Sequence, residues 1–460
     1  MRPFRRTTTP TLPTSTLIPR ADHPISRKDI SRGALHVLYG LHEAGYDAFL
    51  VGGCLRDLLT GVPPKDFDVV TNARPEEVER LFRGARVIGR RFKLVHVRHR
   101  GEIIEVATFR ALSDDRDDER LVKLSKDGQI LRDNVYGSIE EDALRRDFTV
   151  NALYYDIADF SLHDFADSLH DIEQRTLRLI GEPEQRYRED PVRMIRAIRF
   201  QAKLGFELDP ATAAPITAMA PLLAQVPAAR LFEEVLKLFL SGHALATLDG
   251  LRAHDLLEPL LPLTATAMRD KDGGVDLTFL EAAMRNTDRR LADDKPVTPA
   301  FLFAVLLWPA VRRRFQRALD QGMPPVQAMS KAAGDVVVQQ VNRVAIPRRF
   351  SSVMREIWDL QLRLPRRQGQ RAAQLMEHPR FRAAYDFLLL REEAGEIAPG
   401  LGQWWTDYQD ADPETRDEMA QQVRRPRGPE LAEPETDDGQ RRRRRRPRRR
   451  RPAGGGSTDA

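Results

Sequence analysis

Apolar and polar positions alternate with period two in four stretches of the first third of the chain: "AFLVGG", "DFDVVT", "VIGRRFKLVHVRHRG" and "EIIEVATFR". Such alternation buries one side of an extended segment and predicts four strands. A helical pattern, "DISRGALHVLYGLHEAG", precedes the first strand and ends at Gly45, and "PEEVERLF" forms another between the second and third. After about residue 165 the period lengthens to that of a helix. "PVRMIRAIRFQAKLGF" opens at Pro191 and closes at Gly205, and "ARLFEEVLKLFLSG" closes at Gly242. Helical patterns continue to about residue 420. The expected fold class is α+β, a small head built on a short mixed sheet with helices, followed by a long all-α body.

The ends of the chain depart from both periods. Residues 1–27, rich in Thr and Pro, read as a disordered arm, and 421–460 as a disordered tail ending in "QRRRRRRPRRRRPAGGG". Between them the expected units are a head over 28–165, a helical segment over 166–260 and a helical body over 261–420. Inside the head, "ALSDDRDDERLVKLSKDGQILRDN" is charged and lacks apolar periodicity, so it reads as an insertion or mobile loop.

Composition narrows the setting. The chain has 460 residues, enough for about three domains, and a net charge of +5 that understates the arginines gathered at its end. Those arginines favour a polyanion such as RNA or DNA. The single cysteine, Cys54, excludes a disulfide framework and reads as a packing residue in a reducing compartment. No apolar stretch is long enough to span a bilayer, so no membrane partner and a cytoplasmic location are expected.

The candidate chemistry lies in "AFLVGGCLRDLLTGVPPKDFDVV". Asp66 and Asp68 stand two apart on a strand and project from one face. Neighbouring carboxylates raise one another's pKa unless a cation lies between them, and magnesium takes oxygen ligands while leaving positions for phosphates. Gly52 and Gly53 let the backbone approach an anion at a helix start, with Arg56 placed to clamp a phosphate and Asp57 to orient it. Two metal ions held this way would serve phosphoryl or nucleotidyl transfer. A third acid completes such a cluster, and two candidates are open: Asp147 in "LRRDFTVNALYY" and Glu105 in "EIIEVATFR".

Taken in order, "LVGGCLRDLLTG", "KDFDVVT", "IIEVATFR", "RRDFTVNALYYD" and "RYREDPVRMIRAIRFQAKLGF" resemble the motifs of the class II nucleotidyltransferases, the group of CCA-adding enzymes and bacterial poly(A) polymerases. The resemblance spans about residues 48–206 and implies a nucleotidyltransferase head. It also implies that Asp66 and Asp68 are the metal-binding catalytic pair, with Asp147 as third catalytic carboxylate and Glu105 as its competitor. Arg56 and Arg110 would meet the triphosphate above Gly52 and Gly53, with Arg145 and Arg146 as further phosphate contacts. Asp190 and Arg193, one helical turn apart, would read the incoming base.

Within that group, "NVYGSIEEDALRRDFTVNALYYDIADF" and "VPAARLFEEVLKLFLSGHALATLDGL" are similar to the poly(A) polymerase branch. This implies template-independent addition of AMP from ATP to RNA 3′ ends, with two Mg2+ ions as cofactor and RNA-decay proteins as partners. A CCA-adding enzyme is the alternative. The basic stretch "VNRVAIPRRFSSVMREIWDLQLRLPRRQGQR" is a candidate track for RNA, and the His254–Asp255 pair reads as structural rather than as part of a hydrolase site.

Overall fold

The computed structural model describes residues 15–89, 93–111, 122–124, 130–133, 135–269 and 273–423. The expected arm up to residue 14, much of the charged segment and the arginine-rich tail lie outside them.

The head is one mixed eight-stranded sheet. Its strands are β1 (Thr16–Ile18), β2 (Ala48–Val51), β3 (Asp68–Thr71), β4 (Ala85–Ile88), β5 (Leu94–His99), β6 (Glu102–Thr108), β9 (Leu153–Asp156) and β10 (Leu162–Asp164), while β7 (Val122–Leu124) and β8 (Ile130–Asp133) pair apart from it. The order is β1-β10-β9-β2-β3-β6-β5-β4, and only β3 and β6 run parallel. A parallel pair needs a long crossover. Here helix α3 (Pro75–Leu81) and the β4–β5 hairpin supply it.

Both faces of the sheet are covered. Leu50, Val69, Ile104 and Val106 pack into the main core beneath α1 (Arg32–Glu43), whereas Phe49, Val51, Val70 and Tyr154 join Phe109, Ala143 and Phe165 on the other face. The strands therefore alternate between two cores, and β2 is buried at all four positions.

Helix α2 (Gly53–Leu59) follows β2 directly, and α4 (Ile139–Arg145) is held at its start by reciprocal hydrogen bonds between Ser138 and Glu141. After α5 (Ser168–Glu173), helices α6 (Pro183–Glu189) and α7 (Val192–Leu204) lead into the body, where helices continue to Gln422. Arg186 ties α6 back to the head by donating to the carbonyls of Arg145 and Arg146. A second apolar cluster around Phe381, Trp405 and Tyr408 stabilises the far end of the body.

The α+β head and all-α body are as the periodicity predicts. Details differ, among them β9 and β10, which the alternation did not mark. Thr16–Ile18, expected within a structureless arm, pairs with β10 as an edge strand. The continuous strand expected over "VIGRRFKLVHVRHRG" is two strands, β4 and β5. The segment expected as a loop contributes the β7–β8 pair, and beyond residue 165 one further two-residue pair, Thr176–Leu177 with Glu207–Leu208, forms.

Candidate active site

A cleft of about 650 Å3 opens where β2, β3 and α2 face α7. Its first wall is the turn between β2 and α2. Gly52 has φ 85° and ψ −145°, a conformation that side-chain-bearing residues avoid, so the chain can reverse there without strain only as glycine. A Cβ on Gly52 would lie 3.6 Å from Asp68 Oδ2 and 3.9 Å from Arg146 Nη1, which shows how closely an acid and a cation flank the turn.

The acids enter by strand register. Asp68 lies opposite Val51 on antiparallel β2 and beside Glu105 on parallel β6, and Asp66 precedes β3 by two residues. Asp66 and Asp68 both line the cleft. Asp68 keeps solvent access yet its carboxyl is pushed up to about 6, first by the protein packed around it and then by Glu105 and Asp66, with Arg146 opposing. That surplus of negative charge is what a divalent cation relieves. Among the described residues no three His, Cys, Asp or Glu side chains converge to hold a metal by themselves. The all-oxygen pair still fits magnesium, which keeps waters and takes substrate phosphates for its remaining positions.

The two candidates for third acid are placed differently. Asp147 lines the cleft, but its Oδ2 accepts from both Nε (2.8 Å) and Nη2 of Arg196, and its Oδ1 accepts from the backbone N–H of Phe148 (2.9 Å). Burial alone would raise this carboxyl, yet the Arg196 charge overrides it and holds it down at about 2. Glu105 is half-exposed beside Asp68, with His96 Nε2 at 3.2 Å from its Oε1.

Arg56 is buried rather than reaching into solvent. Its guanidinium bonds Asp57 Oδ1 (2.9 and 2.6 Å) and Asn151 Oδ1 (2.6 Å), bracing the turn beneath Gly53. Arg56 nonetheless lines the cleft, and further cations line it from α7, through Arg196, Arg199 and Lys203, with Arg146 across from them. Arg146 is tied to Asp142 Oδ2 (2.9 Å) and to the hydroxyl of Tyr154 (2.8 Å).

Arg110, Asp190 and Arg193 do not line this cleft. The backbone N–H of Arg110 donates to Asp142 (3.3 Å) just past β6. Asp190 accepts from both terminal nitrogens of Arg230, Nη1 on Oδ1 (2.8 Å) and Nη2 on Oδ2 (2.6 Å), and Arg193 donates to Glu189 (3.0 Å) and to the Arg186 carbonyl (2.8 Å). Arg193 belongs to a buried cationic group with Arg110, Arg145 and Arg186. Arg145 is pushed down to about 9 within it, first by burial and then by those like charges.

The sequence reading missed Arg196, Arg199, Lys203, Asn151 and Arg230. A signal existed for three of them, since Arg193, Arg196, Arg199 and Lys203 recur at spacings of three and four along "RMIRAIRFQAK" and so form one basic stripe. His254 and Asp255 end a packed helix far from the cleft in the sequence, and Cys54 is buried with its thiol donating to the Val51 carbonyl.

A sheet that brings paired acids up to a Gly-Gly turn, opposite a cationic helix, places the protein among the nucleotidyltransferases. The same overall fold occurs in the solved Thermotoga maritima CCA-adding enzyme complexed with tRNA, with a TM-score of 0.56, 19% identity and 84% of each chain covered. Three family models match this chain: "Poly A polymerase head domain" over residues 48–178, "Probable RNA and SrmB- binding site of polymerase A" over 205–268, and "Polymerase A arginine-rich C-terminus" over 321–451. Poly(A) polymerase I of Salmonella typhi is 48% identical over 405 residues, 87% of each chain. The CCA-adding enzyme of Geobacillus stearothermophilus is 39% identical over 229 residues, 50% of this chain and 54% of its own. The chain belongs to the poly(A) polymerase family and is a nucleotidyltransferase.

Proposed function

We infer that the protein adds AMP from ATP to RNA 3′ ends without a template. The 3′-hydroxyl oxygen of the primer bonds to the α-phosphorus of ATP, the bond to the β-phosphate oxygen breaks, pyrophosphate leaves and the hydroxyl proton is lost to solvent. The observation that carries the reading is that Asp66 and Asp68 line one cleft with the Gly52–Gly53 turn and the cations of α7, so that carboxylates and a cationic wall face the space a nucleotide's phosphates would take. Similarity over 87% of the chain to a poly(A) polymerase, against 50% to a CCA-adding enzyme, supports adenylate addition over tRNA repair.

Asp66 and Asp68 would hold magnesium, which when bound supplies Lewis-acid activation of the attacking hydroxyl and neutralises charge on the pyrophosphate. Glu105 is the third carboxylate of this reading. Asp147, neutralised by Arg196, positions α7 and its cations against the head. Arg56 braces the turn, and Arg146, Arg199 and Lys203 supply phosphate contacts from the cleft walls. On this reading Asp190 and Arg193 would read the base, Arg193 from within the group of Arg110, Arg145 and Arg186. Arg230 fixes Asp190 for that purpose.

RNA contacts would extend over the helical segment and the basic stretch near 342–371, and proteins of RNA decay would dock on the same segments. A cytoplasmic site of action is part of this reading; among the described residues no helix is long and apolar enough to cross a membrane. Primer extension on a generic RNA oligonucleotide, with ATP or CTP offered singly and together beside a tRNA lacking its terminal CCA, tests the reading. Long ladders with ATP alone are expected. Addition of only C, C and A to the trimmed tRNA would overturn it.

A further inference from the structure

We propose that His96 is a positioning residue for nucleotidyl transfer, holding Glu105 in place beside Asp68. The inference rests on Glu105 being the third carboxylate. Three adjacent strands bring the residues together. Asp68 on β3 is in register with Glu105 on β6, and Glu105 is in register with His96 on β5. Registered neighbours share a sheet face, and here the face is set independently by the alternating partners, since Val69, Val106, Val95 and Val97 all turn into the main core on the opposite side. Asp68, Glu105 and His96 therefore form one row across the sheet.

Within that row His96 Nε2 lies 3.2 Å from Glu105 Oε1. A carboxylate accepts only, so the ring must present Nε2–H to it. The bond engages one of the two oxygens and limits rotation of a side chain that is 54% exposed and would otherwise sample many rotamers. Among the described residues Asp66, Asp68 and Glu105 do not by themselves converge on one metal point, so Glu105 can act beside the pair only in a fixed orientation, which partners behind a carboxylate commonly supply. Glu105 has this imidazole on one side and Asp68 on the other.

The test compares His96→Ala, which removes the donor, with His96→Gln, whose amide N–H stands the same number of bonds from Cα. Steady-state primer extension, Mn2+ binding by paramagnetic resonance in the presence of a non-hydrolysable ATP analogue, and the thermal midpoint are measured for each. His96→Ala is expected to lose about tenfold in kcat and in Mn2+ affinity with the KM for ATP nearly unchanged, and His96→Gln to recover most of both. In a Glu105→Gln background the His96→Ala change should add nothing. Equal losses in the two His96 variants, tracking a lowered midpoint, would assign the residue to strand pairing and overturn the proposal. Wild-type behaviour of His96→Ala beside an impaired Glu105→Gln would overturn it alone. A fully active Glu105→Gln would instead remove the third carboxylate and this inference with it.

Discussion

Asp147 and Arg196, 49 positions apart, form a two-point ion pair that joins the segment after α4 to the middle of α7. Both side chains are largely buried, at 13% and 29% exposure, so the pair is shielded from solvent screening. It sets the distance between the acids on the sheet and the cationic face of α7. Asp147→Asn is expected to lower stability at pH 7 by about 2 kcal/mol, the scale of a shift from 3.8 to about 2. The folded pKa lies below the unfolded one, so this contribution is complete above pH 4 and is lost as pH falls through 2. The gap between wild type and variant in urea unfolding should narrow over that window. A gap that stays constant with pH would assign the loss to packing.

Asp68 carries the opposite shift. Its carboxyl is raised to about 6 by the surrounding protein, Glu105 and Asp66, so in the metal-free protein its ionised form works against folding. Asp68→Asn should therefore abolish transfer while raising the thermal midpoint slightly at pH 7.5 in chelator. The difference in midpoint should shrink as pH falls through 6, where folded Asp68 takes up its proton, and vanish only below about 4, where the unfolded chain is protonated as well. Asp66→Ala and Asp68→Ala should each lower kcat by about 10³-fold or more and leave RNA affinity nearly intact, as filter binding would show. Retained activity in both would remove the metal assignment.

The two glycines of the turn should respond differently. Gly52 has φ 85° and ψ −145°, so Gly52→Ala costs about 1–3 kcal/mol of backbone strain even though its Cβ would meet nothing closer than 3.6 Å. The relief of that strain moves Asp68 or Arg146, and activity should fall with stability. Gly53 is already helical. A Cβ there comes within 3.1 Å of Arg56 Nη2, the far end of a flexible side chain, so Gly53→Ala should keep the fold and lose activity only as far as Arg56 shifts. Circular dichroism melts alongside primer extension separate the two effects.

The head was legible because its chemistry is local. Period-two alternation located β2, β3 and β6, but of the two acids expected on one strand only Asp68 lies in β3; Asp66 sits on the approach to it, and both still line the cleft. β1 was illegible for the opposite reason, being three residues among prolines at a sheet edge, with register supplied by β10. What sets Glu105 apart from Asp147 lies in partners 37 and 49 positions away, Asp68 on a parallel strand and Arg196 on a later helix. The same holds for Asp190, whose i+3 neighbour Arg193 turns to Glu189 while Arg230, from a helix 40 positions on, takes the acid. Short-range spacing names candidates, whereas pairing is decided by packing.

The tail gives the last prediction. Residues 437–460 hold ten arginines against three aspartates, so deleting them turns the chain's net charge from +5 to −2. A polymerase whose body is net acidic must hold RNA through local basic surfaces, and the tail is the largest single source of long-range attraction to a polyanion. If about half of its arginines engage phosphates, the slope of log K against log salt should flatten by about 3.5 on deletion. Affinity at low salt should fall steeply, while kcat at saturating RNA stays near that of the full chain, since no cleft residue is removed. Fluorescence anisotropy across a salt series measures the slope, and primer extension at saturating RNA measures kcat. An unchanged slope would place RNA binding wholly on the helical body. A fall in kcat equal to the fall in affinity would mean that the tail also orders the cleft.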